Sequence, residues 1–168
     1  MDLQLAGKSC LITGASRGIG WGTAKIMADE RCRVALVARR EQLLNELADE
    51  IAGAGHERPV VIAEDVTRQG APEQIRERAY AAFGGLDILV NSAGGSRPIP
   101  WDAPVDVWHE GMTLNFEMLR QLTHQFIPGM RERKYGRVIN ITGSSEPRGG
   151  NVANAAKGAV HMLSLIHI

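Results

Sequence analysis

A chain of 168 residues with 44% hydrophobic and 23% charged side chains can bury the core of one domain and is too apolar to stay disordered. Its 19 basic residues match its 19 acidic ones, so no net field draws it to nucleic acid or to an anionic membrane. No apolar run reaches bilayer length and no signal-peptide pattern opens the sequence. The two cysteines, Cys10 and Cys32, sit in apolar stretches, and the five histidines show no metal-type spacing. These features predict a metal-free protein of a reducing compartment, the cytoplasm.

Along the chain, strand and helix signals alternate. The apolar run SCLITG (9–14) ends in glycine, and residues 18–30 follow with helical spacing at Ile19, Ala24, Ile26 and Met27. RVALVA (33–38) reads as a second strand, and 41–52 as a helix with Leu43, Leu44, Leu47 and Ile51 on one face. PVVIAE (59–64), a helix near 72–83 and DILVNS (87–92) repeat the unit. A long helical tract covers about 103–133, RVINIT (137–142) is a fifth strand, and a last helix begins near 151. Near-continuous Val/Ile/Leu strands predict a sheet covered on both faces, hence parallel. The expected fold is a doubly wound α/β sheet of the Rossmann type, one domain over 1–168, with strand order 3-2-1-4-5 and a crevice above Gly14 and Asn91.

Ligands of such sheets bind at the carboxyl ends of the strands. After the first strand stands TGASRGIG (13–20). Gly14 permits a tight turn, Gly18 lets backbone approach a phosphate, and Gly20 lets the helix pack closely. The N–H groups at the helix start would hold a pyrophosphate. A glycine trio is weak evidence alone and gains weight from its place between strand and helix. Asp65 ends the third strand, where its carboxylate could accept from an adenine amino group while Val66 packs on the ring. The alternative there is a solvated cap formed with Thr67. Asn91, Ala93 and Gly94 follow the fourth strand, where small residues let a ligand lie against backbone. Asn115 sits mid-helix against its propensity, which predicts a tertiary role.

The spacing T-G-x-x-x-G-x-G, with EDVT (64–67), LDILVNSAGG (86–95), Asn115 and GRVINI (136–141), resembles the short-chain dehydrogenase/reductase family, 3-oxoacyl-carrier-protein reductases among its most similar members. The resemblance runs through nearly the whole chain in order. It implies a nicotinamide dinucleotide cofactor and hydride transfer between it and a small carbonyl or alcohol substrate. It also implies a homo-oligomer in the full-length form and adds Ser16, Arg17 and Ile19 of the glycine loop to the cofactor site. Where an NAD-type site carries an acid after the second strand, this sequence has Ala38, Arg39 and Arg40. Arg39, helped by Arg17, would grip a 2′-phosphate, so NADP(H) is expected over NAD(H); the alternative is a solvated turn of arginines.

In the family a tyrosine four residues before a lysine is the general acid/base, the lysine holds the ribose and lowers the tyrosine's pKa, and a serine orients the carbonyl. An asparagine supports a water-linked proton path, the place of Asn115. Lys157 matches the lysine, the alternative being an ordinary exposed helix residue. Ala153 stands where the tyrosine would, on the same helix face. The serine's usual place falls on Gly143, which leaves Ser144 as the catalytic candidate, with Ser145 and Glu146 beside it. Of the tyrosines, Tyr80 lies on an outer helix and Tyr135 at the far end of the sheet, about 20 Å away. HMLSLIHI ends the sequence within an amphipathic helix, and LSLIHI is similar to translated sequencing-library adapter. The expectation is a shortened frame with 163–168 a candidate non-native end. An NADP(H)-dependent reductase with another proton donor, a nucleotide-binding relative without turnover, and an inactive fragment all stay open.

Overall fold

Strands and helices alternate along the residues that the computed structural model describes, 3–96, 99–100, 102–143 and 151–164. The strands are β1 (Ser9–Thr13), β2 (Arg33–Ala38), β3 (Val60–Ala63), β4 (Ile88–Asn91) and β5 (Arg137–Asn140). They form one parallel sheet in the order β3-β2-β1-β4-β5, with Cys10 in register with Val34 on one side and Ile88 on the other. The order and the parallel sense are those expected. The chain leaves β1 toward β2 and β3, then returns past β1 to β4 and β5. That reversal opens a crevice at the carboxyl ends of β1 and β4.

Helices α1 (Gly18–Asp29), α2 (Glu41–Gly53) and α3 (Ala71–Phe83) supply the first crossovers. Successive residues of a strand face opposite ways, and β1 divides its side chains accordingly. Cys10 and Ile12 join Val34, Leu36 and Val90 in the layer that holds Ala24 of α1 and Leu44 and Leu47 of α2. Leu11 joins Ala35, Val37 and Leu89 on the other face, with Ile75 of α3 and Phe126. Each such buried Leu or Ile contributes roughly 1.5–3 kcal/mol relative to exposure. Cys10 and Cys32 are both buried thiols, and burial is the main cause that pushes Cys32 up to about 11.

One expectation gains detail and one needs correction. The tract 103–133 is helical without a break over 105–132, as expected, but it comprises α4 (Val105–Met112), a π-helical turn (Thr113–Glu117) and α5 (Met118–Glu132), the coil widening where Asn115 turns its amide onto the Gly111 carbonyl. Burial on both faces holds for β1 and β4, whose residues are all buried, but not for the edge strand β5. There Arg137 is exposed and Ile139 is 46% exposed, since no strand pairs with the outer side of β5 among the described residues. The last helix, α6 (Val152–Ser164), lays Val152, Ala156 and Val160 inward and packs on α4 and the π-helical turn.

Candidate active site

Thr13 closes β1 and fastens the crevice. Its hydroxyl donates to the Val90 carbonyl at 3.4 Å and accepts from the backbone N–H groups of Ser92 and Ala93 at 3.1 and 3.0 Å. Gly14 follows with φ +68°, a left-handed conformation that suits glycine, and a Cβ there would stand 2.9 Å from the Ala93 backbone. Gly20 is as constrained, since its Cβ would meet the Gly14 carbonyl oxygen at 2.5 Å. Gly18 differs: φ is +63° and a Cβ would meet nothing within 4 Å. The three glycines therefore turn the chain, open its surface and seat the helix, as the sequence predicts.

Around this turn lies a cleft of about 760 Å³. Gly14, Ser16, Arg17 and Ile19 line one wall. Arg39, Asp65 and Val66 line the end beyond β2 and β3, and Ala93 and Gly94 line the opposite wall. Nine of the residues singled out from the sequence thus meet in one cavity. Asn91 sits beneath it, 2% exposed, donating to Thr123 Oγ1 at 3.0 Å and Asn140 Oδ1 at 2.9 Å, so it braces strands rather than lining the cleft.

The start of α1 suits an anion. Arg17 at the N-cap makes no side-chain cap bond and the first turn carries no acid, so the leading N–H groups and the positive end of the helix dipole are left for a ligand. Ile19 is 62% exposed at the same place. Such a cradle could hold the pyrophosphate of a dinucleotide at the open Gly18 and the helix start. Charge gathers beyond β2. Arg39 is largely exposed, with Nη1 3.9 Å from Asp65 Oδ2, while Arg40 Nη2 donates to Ser16 Oγ at 3.1 Å. Asp65 Oδ1 accepts from the Thr67 N–H at 2.9 Å and hydroxyl at 2.7 Å, a local turn of the kind raised as the alternative for this residue. Burial pushes its carboxyl up, but the two Thr67 bonds, with Arg39 and Arg68 nearby, hold it below the usual range.

The catalytic candidates gather beyond Gly94. Asn115 is 2% exposed and its Oδ1 accepts from the Gly95 N–H at 3.1 Å. Lys157 Nζ donates to the Ile141 carbonyl at 2.6 Å, just past β5. A Cβ on Gly94 would lie 2.9 Å from Asn115 Oδ1 and 3.4 Å from Lys157 Nζ, so both side chains back the cleft wall at one glycine. Burial lowers the pKa of Lys157. Ala153 is 4% exposed, one helical turn before it. Ser144, with Ser145 and Glu146, lies outside the described residues. Tyr80 packs on Phe126 at 5.8 Å between ring centres, and Lys8 lies over the Tyr135 ring, so neither tyrosine reaches the cleft. Sequence reasoning missed Thr13, Ile141 and His109, the last of which lines the cleft from α4. A threonine before the loop glycine was a readable signal for the first; the others depend on how distant segments meet.

An open doubly wound sheet with a glycine turn and an uncapped helix at its switch point defines a dinucleotide-binding class of protein. The family model for short chain dehydrogenases matches residues 8–166, and the chain belongs to that family. It is 38% identical over 142 residues, 83% of its length, to a short chain dehydrogenase of Pseudocercospora fijiensis, of which it covers 46%. It is 35% identical to a fatty acyl-CoA reductase of Mycobacterium tuberculosis, over 98% of this chain and 58% of that one. The chain thus spans about half the length of these curated relatives. Among solved structures, 7α-hydroxysteroid dehydrogenase complexed with NADH and 7-oxo glycochenodeoxycholic acid superposes with TM-score 0.91 at 29% identity, over 96% of this chain and 64% of that one. L-sorbose reductase of Gluconobacter frateurii, complexed with NADPH and L-sorbose, gives 0.88 at 32% identity, over 98% and 64%. No helix among the described residues is long and apolar enough to cross a membrane.

Proposed function

We propose that this chain is the cofactor-binding part of an NADP(H)-dependent short-chain oxidoreductase that interconverts a small carbonyl and its alcohol. The observation that carries the reading is the uncapped start of α1 behind an open Gly18, in a cleft lined also by Arg17, Arg39 and Arg40. In this reading the α1 amides hold the pyrophosphate and Asp65 with Val66 takes the adenine. Ala93 and Gly94 form the thin wall behind the nicotinamide half, Asn115 fixes that wall, and Lys157 reaches the adjoining ribose. The cofactor, when bound, supplies or accepts a hydride. Ser144 is proposed to orient the carbonyl.

The preference for NADP(H) rests on the arginines. Among the described residues Arg39 makes a long, exposed contact with Asp65, so its guanidinium can turn to a 2′-phosphate at little cost. A charge-assisted contact there contributes roughly 1.5–3 kcal/mol, about tenfold or more in affinity. Titration of the full-length protein with NADPH and NADH should show that preference, and Arg39→Ala should remove most of it. Equal affinities in the parent would refute the assignment. Ala153 supports a second reading, a relative that binds the cofactor without turning over. Tight NADPH binding with no reduction of any carbonyl in a broad panel would favour it.

A further inference from the structure

The geometry points to Lys157 itself as the proton donor to the nascent alkoxide, a role that rests on the oxidoreductase reading above. With alanine at 153, no phenol stands between this ammonium and the cleft. Its Nζ spends one N–H on the carbonyl of Ile141, a cleft-lining residue, at 2.6 Å and lies 3.4 Å from where a Cβ on Gly94, another cleft-lining residue, would stand. Among the described residues it has no ion-pair partner, so its remaining N–H groups are available to a substrate oxygen or to one intervening water.

The step balances without another reagent. The carbonyl carbon gains the hydride, the C=O π electrons move to oxygen, and that oxygen takes a proton from Nζ. The two electrons come from the reduced cofactor, which is oxidised in the same step. Lys157 is left as a neutral amine and regains a proton from solvent. Burial supports the role, because it makes the ammonium a better acid than an exposed lysine.

Other titratable groups on the elements around α6 are less well placed. His109 and Glu110 reach the cleft from α4 but are exposed, and Asp106 lies at the exposed start of that helix. Glu117, in the π-helical turn, is bonded to Arg120 and Gln121. His161, one turn further along α6, is exposed.

The test uses the full-length protein and its Lys157→Arg, Lys157→Ala and His109→Gln variants at saturating NADPH. Cofactor affinity is read first, by fluorescence titration, and failure of every form to bind sinks the oxidoreductase reading rather than this step alone. The protonation of Lys157 is then followed by its lysine 13Cε resonance, assigned by its loss in the arginine variant. The donor must be protonated, so the single-turnover reduction rate should fall as pH rises through the pKa of that resonance. That pKa should lie below the ordinary lysine range. Both Lys157 variants should be about 100-fold slower, and methylammonium should restore part of the rate to Lys157→Ala in proportion to its concentration. Whatever its rate, His109→Gln should leave the position of the pH limb where the parent has it. Retention of the parent rate within about threefold by Lys157→Arg, no rescue by amine, or a pH limb that moves with His109 overturns the inference. Bound NADPH with no carbonyl reduced overturns it too and leaves the cofactor reading standing.

Discussion

Gly20 and Gly14 constrain each other at atomic range. A methyl group on Gly20 would press against the Gly14 carbonyl at 2.5 Å, and backbone cannot swing aside as a side chain can. Gly20→Ala should therefore cost about 1–3 kcal/mol in a denaturant melt and weaken NADPH binding, because the start of α1 must shift. Gly18→Ala meets no neighbour and strains only φ, so its stability loss should be the smaller of the two. A Gly20→Ala protein with the parent's melt would mean that the turn gives way more easily than its contacts imply. At this scale the sequence was informative, since a glycine that must turn the chain leaves a spacing. The Arg39–Asp65 and Arg40–Ser16 contacts were not readable, because they depend on how three strand ends meet.

Among the elements, the widened helix matters most to the site. Asn115 holds the π-helical turn by donating to Gly111 and holds the cleft wall by accepting from Gly95. Replacing it with alanine leaves the Gly111 carbonyl and the Gly95 N–H without these part-buried bonds, at roughly 0.5–1.5 kcal/mol for each. Asn115→Ala should lower stability by that order in a chemical melt and loosen NADPH binding, while amide exchange at Gly95 speeds up. Unchanged exchange at Gly95 would contradict this coupling. An asparagine in mid-helix announced a tertiary role, yet nothing in the sequence marked the widening of the coil. No proline or glycine falls within Thr113–Glu117, so the widening comes from a side-chain bond and not from a helix breaker.

On the scale of the molecule, a parallel doubly wound sheet followed from alternation and handedness, and the location of the crevice followed from the strand order expected for it. Burial at the sheet's edge did not follow, because an apolar run looks the same whether or not a neighbour covers it. Beside the side of β5 that no strand pairs with among the described residues, a groove of about 870 Å³ runs between α5 and α6, and Ile139 and Met162 are 46% and 66% exposed nearby. An unpaired parallel edge with apolar side chains recruits other chains. The 168-residue polypeptide should self-associate in sedimentation at tens of micromolar, and Ile139→Lys should reduce that association without altering the far-ultraviolet spectrum. A monodisperse monomer with a sharp melt would refute this.

The Thr13 hydroxyl has a consequence for the ligand's orientation. It occupies the amides of Ser92 and Ala93, and Asn115 occupies that of Gly95. That side of the cleft therefore acts as a gauge: it measures thickness and offers these amides to nothing. The opposite side, at the start of α1, is where N–H groups are left to grip. A ligand carrying an anionic and a flat uncharged part has one way to lie between a grip and a gauge. Replacing Thr13 with valine would keep the shape and release two donors on the gauging side, so the cleft would lose its polarity before it lost its form.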